Sequence, residues 1–373
     1  MNIDRYLRLM AERNVSDLFF TTGAPISMKV EGTIRPVGSK PLPPGTTEQI
    51  ANELMDEKQR AEFQEIKEMN LGRSLEGAGR FRINIFRQRG EVGIVVRFIR
   101  SEIPSIDRLM LPNVLKDLVM EQMGLVLVVG ATGSGKSTSL ASMLDYRNQR
   151  HTSHILTIED PIEFVFQHKK SIVDQREVGM DTLSYGNALK EAMREAPDVI
   201  MIGEIRDRAN MEHAMAYADT GHLCLSTLHA NNAHQALERV LNFFPTDIIR
   251  QRRMELSLTL KAIISQRLVL TPKGRRIPAV EIMVNSPFIA ELIHKGEVSG
   301  IKEVIAKSAS LGMQTFDQSL YRLYQDNEID RETALNHADS RADLEWQMNF
   351  GGDVQQSANA TPDTIDFQSP FQE

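Results

Sequence analysis

One cysteine in 373 residues, Cys224, leaves no pair for an internal disulfide and no set for a Cys-rich zinc site. Long apolar runs are missing too. The longest, such as residues 125–129, fall far short of the roughly 20 residues that a bilayer span requires. The opening MNIDRYLRLMAERN is charged and amphipathic, without the basic region and apolar core of a secretory leader. Positive charge is in deficit: 43 Lys+Arg against 50 Asp+Glu give a net charge of −7. That balance argues against nucleic acid as the main partner, since phosphate binding is driven by Lys and Arg. No period of 20–50 residues recurs, so a solenoid or propeller is not expected. These absences predict a reduced, cytoplasmic protein with no zinc and no nucleic-acid partner. The 41% hydrophobic and 25% charged residues supply ample core material, enough for two or three domains at this length.

Residues 1–100 read as a small α+β domain. Ile3, Tyr6, Leu7 and Met10 have helical spacing, and SDLFFTT and SMKVEGTIRPV read as strands with a turn at Gly32. Thr46 and Gln49 have capping-box spacing and predict a helix running to a stop at residues 70–72. RFRINIF and EVGIVVRFI predict a hairpin in which Phe81, Ile83 and Ile85 form an apolar face and Arg80, Arg82 and Asn84 a basic one. Residues 101–112, with prolines at 104 and 112, predict an interdomain linker. From 113 to 350 the pattern becomes short, wholly apolar strands (125–129, 154–158, 198–202, 223–227) between helices, then a hairpin in RLVLTPKGRRIPAVEIM. Continuous hydrophobicity fits a largely parallel sheet buried on both faces, hence an α/β core. Residues 351–373 contain no Lys or Arg and predict a disordered acidic tail.

The strongest motif is Gly130, Ala131, Thr132, Gly133, Ser134, Gly135, Lys136, Ser137 and Thr138, which matches G-x-x-x-x-G-K-[ST] between a strand and a helix. The glycines let backbone N–H groups turn inward around phosphates, and the helix start adds the positive end of its dipole. Lys136 is positioned by this pattern to reach the β- and γ-phosphates, and Ser137 to ligate Mg²⁺. The chain is expected to bind ATP and Mg²⁺.

Hydrolysis also needs a group that activates water. Two candidates follow apolar strands, where α/β sheets place their sites. One is the acidic segment containing Glu159 and Glu163; the other is Glu204, behind Gly203. Gly203 stands where an ordinary second nucleotide motif carries a Mg²⁺-holding Asp, which shifts metal binding toward Ser137 and the acidic segment. Glu204 is the first choice for the base, with Glu163 its partner or rival. His222 and His229 bracket the strand at 223–227 and are candidates for sensing the γ-phosphate.

Together GATGSGKST, ILTIEDPIEF, the run from Met193 through Gly203-Glu204-Ile205-Arg206-Asp207, and TGHLCLSTLHANNA resemble the four ordered motifs of the secretion ATPase superfamily. ISQRL and SLGMQT make the chain similar to type IV pilus twitching-motility ATPases, and the single cysteine sets it apart from their zinc-bearing assembly relatives. SPFIAEL near Pro287 lacks the arginine typical of main retraction motors, which with the extended tail favours the accessory, PilU-type branch.

That resemblance implies a RecA-like core behind a PAS-like N-terminal domain, assembled as a homohexamer. It implies that Arg80, Arg82 and Arg97 act as arginine fingers, with weaker roles for Arg194 and Arg206, and that residues 101–112 form a hinge. It implies a PilT-type retraction ATPase as paralogous partner, an inner-membrane platform protein as load, and a peripheral place at the pilus base. The open alternatives are an ATP-binding partner with little hydrolysis of its own, and a translocase built on a RecA-like ring.

Overall fold

The structure, a computed structural model, describes residues 3–13, 15–30, 32–99 and 101–357. The N-terminal unit comprises α1 (Ile3–Glu12), β1 (Asp17–Thr21), β2 (Pro25–Val30), β3 (Thr33–Pro41), α2 (Thr46–Leu54), α3 (Glu57–Ile66), β4 (Glu68–Leu75), β5 (Gly79–Gln88) and β6 (Glu91–Ile99). The strands form one antiparallel sheet in the order β3-β2-β1-β6-β5-β4. Phe81, Ile83 and Ile85 of β5 pack with Leu7, Phe20 and Phe63 into its core, as their alternation predicts.

Two local expectations give way here. Thr46 and Gln49 form no capping box, because α2 starts at Thr46 behind Gly45 in a left-handed conformation, φ 77°, with no side-chain cap. The box lies one helix later. Asp56 accepts from the Gln59 N–H at 2.8 Å, and the Gln59 side chain accepts from the Asp56 N–H at 3.0 Å. Residues 70–72 stop no helix; they lie inside β4, with Leu71 opposite Ile83 and Gly72 opposite Arg82. Met69 and Leu71 alternate with exposed neighbours, a period of two that outweighs the turn-forming character of Asn70 and Gly72.

Residues 101–112 contain no helix or strand. The second unit then runs α4 (Val114–Met120), β7 (Gly124–Val129), α5 (Lys136–Arg150), β8 (His154–Glu159), β9 (Ile172–Glu177), α6 (Tyr185–Ala192), β10 (Val199–Ile202), α7 (Arg208–Asp219), β11 (Leu223–Leu228), α8 (Ala233–Asn242), α9 (Ile249–Thr259), β12 (Leu260–Leu270) and β13 (Arg276–Val284). Its sheet has the order β13-β12-β7-β11-β10-β8-β9, parallel throughout except for the β12–β13 hairpin. Leu125, Leu127 and Val129 enter one hydrophobic layer while Val126 and Val128 enter the other. An all-apolar strand is what a sheet covered on both faces requires.

Among the described residues, five α-helices complete the unit: α10 (Pro287–Lys295), α11 (Ile301–Lys307), α12 (Phe316–Gln325), α13 (Arg331–His337) and α14 (Arg341–Ser357). Phe316, Leu320 and Leu323 of α12 pack on Val269, Ile277 and Ala279 of the hairpin. The helix α14 continues past Gly351 to Ser357, so its backbone covers the first seven residues of the stretch expected to be disordered. Extending a helix already anchored by buried Leu344 fixes one residue per added hydrogen bond, which is far easier than nucleating a new one. The rest of the expected tail, 358–373, lies outside the described residues.

Candidate active site

At the end of β7 the chain turns into residues 130–135 and then α5. Gly130 has φ 155°, and a Cβ there would lie 2.5 Å from both the Gln266 carbonyl oxygen and Ser134 Oγ. Only glycine fits that approach. No side chain caps α5, so the first-turn N–H groups of a 15-residue helix are left for an anion at the cleft. Lys136 Nζ donates to the Gly130 and Ala131 carbonyls at 2.9 and 3.0 Å. Burial holds its pKa below the usual lysine value, with Glu204 and Glu163 opposing that shift. Ser137 Oγ donates to Glu163 Oε1 at 3.0 Å.

The cleft measures about 520 Å³. Thr132, Gly133, Gly135, Lys136, Ser137 and Thr138 line it together with Glu159, Glu163, Glu204 and His229. Gly130, Ala131 and Ser134 line an adjoining recess with Arg267 and His337. The charge and donor set suit a triphosphate, and the Ser137–Glu163 pair offers oxygens of the kind Mg²⁺ takes.

Glu204 leaves the end of β10 with both oxygens engaged. Oε1 lies 3.1 Å from His229 Nε2, and Oε2 accepts from Arg206 Nε at 2.9 Å. Arg206 also lies 3.8 Å from Asp160, whose peptide bond to Pro161 is cis. The neighbouring backbone is fixed on both sides: Thr227 Oγ1 donates to the Gly203 carbonyl at 2.7 Å, and the Ile205 N–H donates to the Thr227 carbonyl at 3.0 Å. Position 203 has no room for the Asp expected of an ordinary motif. A Cβ there would meet Tyr185 Oη at 2.9 Å and Glu159 Cα at 3.2 Å. Glu159 itself is buried, and its Oε1 accepts from Thr157 Oγ1 at 2.7 Å and Gln175 Nε2 at 3.2 Å. Burial pushes its carboxyl up to about 7.

Not every candidate converges on this cleft. His222 precedes β11 whereas His229 follows it, so they sit at opposite ends of one strand. The His222 ring contacts Thr220 and the Tyr217 carbonyl, both at 3.3 Å, and does not line the cleft. Six strand residues at ~3.3 Å each place it about 20 Å away. Arg80, Arg82 and Arg97 also lie outside the cleft of their own chain. Arg82 and Arg97 are cross-strand neighbours; Arg97 Nε donates to Asp17 Oδ1 at 2.8 Å, and Arg82 Nε lies 3.9 Å from Glu177. Arg194 pairs with Glu191 on the surface.

Gln266 lies inside ISQRL, but the motif gives no sign of its role. Its Nε2 donates to the Ser134 carbonyl and its Oε1 accepts from Ser139 Oγ, both at 2.7 Å, so β12 braces the phosphate loop from beneath. Partners 127 and 132 residues away leave no local pattern to find.

Residues 3–327 match the family described as "Type II/IV secretion system protein". The chain belongs to that family. This secretion ATPase is 53% identical over 354 residues to the type IV pilus ATPase PilU of Pseudomonas aeruginosa, covering 95% of this chain and 93% of the relative. It is 41% identical to the retraction ATPase PilT of the same organism, over 91% of this chain and 98% of that one. A crystal structure of the pilus retraction motor PilT with bound ADP superposes with a TM-score of 0.86, covering 93% of this chain and 99% of that one. The Legionella pneumophila ATPase DotB superposes at 0.77 with 25% identity, covering 89% of this chain and 93% of that one. The α/β core behind a smaller α+β domain is thus the fold of secretion ATPases.

Proposed function

We propose that this chain is an ATP-hydrolysing motor subunit that powers or assists type IV pilus retraction. The observation that carries the reading is one cleft joining Lys136 and Ser137 of the phosphate loop to Glu163 and Glu204. Similarity to PilU and PilT over nearly the whole chain supports the pilus as the setting.

In this reading the α5 N-terminus and Lys136 bind the β- and γ-phosphates, and Thr138 closes the wall beside them. Ser137 and Glu163 would hold Mg²⁺, which when bound neutralises phosphate charge. Glu204 orients the attacking water and accepts its proton, with Glu163, which lines the same cleft, as its partner or rival. Taking the proton requires Glu204 to exchange its contact with His229 or Arg206 for water. His229 thereby registers whether the γ-phosphate side of the cleft is filled. Glu159 supports the base of the wall.

Arg80, Arg82 and Arg97 lie outside the cleft of one chain, so their use as arginine fingers requires domain closure or a neighbour in a homohexamer. Residues 101–112 are the hinge for that closure, between an N-terminal domain (1–100) and an ATPase domain (113–350). The ring works on an inner-membrane platform protein from the cytoplasmic side, together with a PilT-type paralogue; residues 351–373 are its tail. None of the described helices is long and apolar enough to cross a membrane.

The engagement of both Glu204 oxygens favours a second reading, in which the chain binds ATP and supports a paralogous motor with little turnover of its own. Deleting the gene tests the setting: loss of twitching with surface pili retained is expected, and loss of surface pili would contradict a retraction role. ATPase rates of the purified chain, alone and with its paralogue, separate the two readings.

A further inference from the structure

Glu281 is 2% exposed in β13, and the nucleotide chemistry above gives it no task. Its Oε1 accepts two hydrogen bonds, from the Ala233 N–H at 2.7 Å and from the Ser265 hydroxyl at 3.1 Å. Ser265 is its cross-strand partner on β12, and Ala233 is the first residue of α8. A buried carboxyl is costly without donors. Burial raises its pKa, and the two donors oppose that rise.

Each donor leads to one half of the active site. Next to Ser265 stands Gln266, which holds the phosphate loop through Ser134 and Ser139. Four residues before Ala233 stands His229, which contacts Glu204. The intervening segment is short and pinned at both ends. On the β11 side, Leu228 pairs with Val129 at the start of the phosphate loop. On the α8 side, Asn232 caps the helix by accepting the Gln235 N–H at 2.9 Å, and Glu281 takes the Ala233 N–H.

We propose that Glu281 is a positioning residue: it ties the β12–β13 hairpin that braces the phosphate loop to the helix start that fixes His229 against Glu204. The proposal deepens the hydrolytic reading and rests on it. What the position requires is an acceptor oxygen for two donors, one of them the backbone N–H of Ala233. A glutamine can supply that oxygen and a leucine of similar volume cannot, whereas a role in packing alone would be met by either.

The test compares E281Q and E281L in the purified full chain, by steady-state ATPase and by hydrogen exchange over residues 229–241. E281L is expected to lose about tenfold to a hundredfold in kcat, the scale of a catalytic group displaced by about an ångström, with KM for ATP little changed. Its 229–241 amides should exchange faster. E281Q should restore both turnover and protection. Wild-type turnover in E281L, equal impairment in E281Q, or a loss confined to KM would overturn the proposal. Should E281L fail to fold, S265A removes one donor only; it is expected to lower kcat severalfold at constant KM, and an unchanged kcat would count against the tie. Absence of turnover in the wild type would instead sink the hydrolytic reading. In that event the exchange comparison of E281L with E281Q still decides the positioning role.

Discussion

His229 Nε2 lies 3.1 Å from Glu204 Oε1 across the ends of two adjacent parallel strands, β11 and β10. Strand order creates this pair. β11 sits between β7, which carries the phosphate loop, and β10, which carries Glu204. His229 is therefore held on the strand between the one that leads into the phosphate loop and the one that carries Glu204, at 35% side-chain exposure. Replacing His229 with alanine should lower kcat roughly a hundredfold, the usual scale for one stabilising group in such a site, while nucleotide still binds. Unchanged turnover would remove His229 from the mechanism.

Gln266 is expected to matter for stability and affinity together. Alanine there removes two 2.7 Å hydrogen bonds in a buried setting and leaves Ser139 Oγ and the Ser134 carbonyl without that partner. At about 1–1.5 kcal/mol per buried bond, the variant should lose about 2–3 kcal/mol in denaturant unfolding and bind ATP more weakly. Wild-type stability with wild-type affinity would show that the loop needs no brace.

Glu159 predicts a pH dependence of stability. Its carboxyl titrates at about 7 when folded, against a model-compound value of 4.5 for the unfolded chain. Between those values the native state keeps a proton that the unfolded chain has released. The stabilisation is full below the unfolded pKa and is lost as pH rises through the folded one. Between pH 5 and 8 the wild type should therefore lose on the order of 1–3 kcal/mol relative to Glu159→Gln, whose amide does not ionise. Parallel stability–pH profiles for the two proteins would refute this.

The arginine face separates structural from catalytic roles. Arg97 pairs with Asp17, whose side chain is only 6% exposed, so truncating the arginine leaves a buried carboxylate short of its cation. Arg97→Ala should therefore lower the unfolding midpoint, and Arg82→Ala, 3.9 Å from buried Glu177, should do so less; if the face is catalytic, both should strongly reduce turnover in the proposed ring. Retained turnover in both would leave the face without a catalytic part.

The phosphate loop was legible because its chemistry is local: spacing, glycines and flanking strand are contiguous. The strands β7, β8, β10 and β11 were legible because each is apolar on both faces. Two of the four described edge strands, β9 and β4, were not. IVDQRE of β9 and EMNLGRSL of β4 bury only part of one face and carry charges, so neither run contrasts with a loop. The contacts of Gln266, Tyr185 and Thr227 were hidden for a different reason, since they form only when distant elements meet. His222 shows that motif spacing does not fix distance. A motif binds two histidines in sequence, but the strand between them carries one away from the cleft.

The most direct measurement is the ATPase rate of the purified chain against its Glu204→Gln variant, with nucleotide binding followed in parallel. Removing a general base costs about 10²–10⁴ in rate. The variant should fall by that factor while ATP affinity stays near the wild type. Equal, near-background rates in both proteins would contradict the motor reading and leave a nucleotide-binding partner in its place.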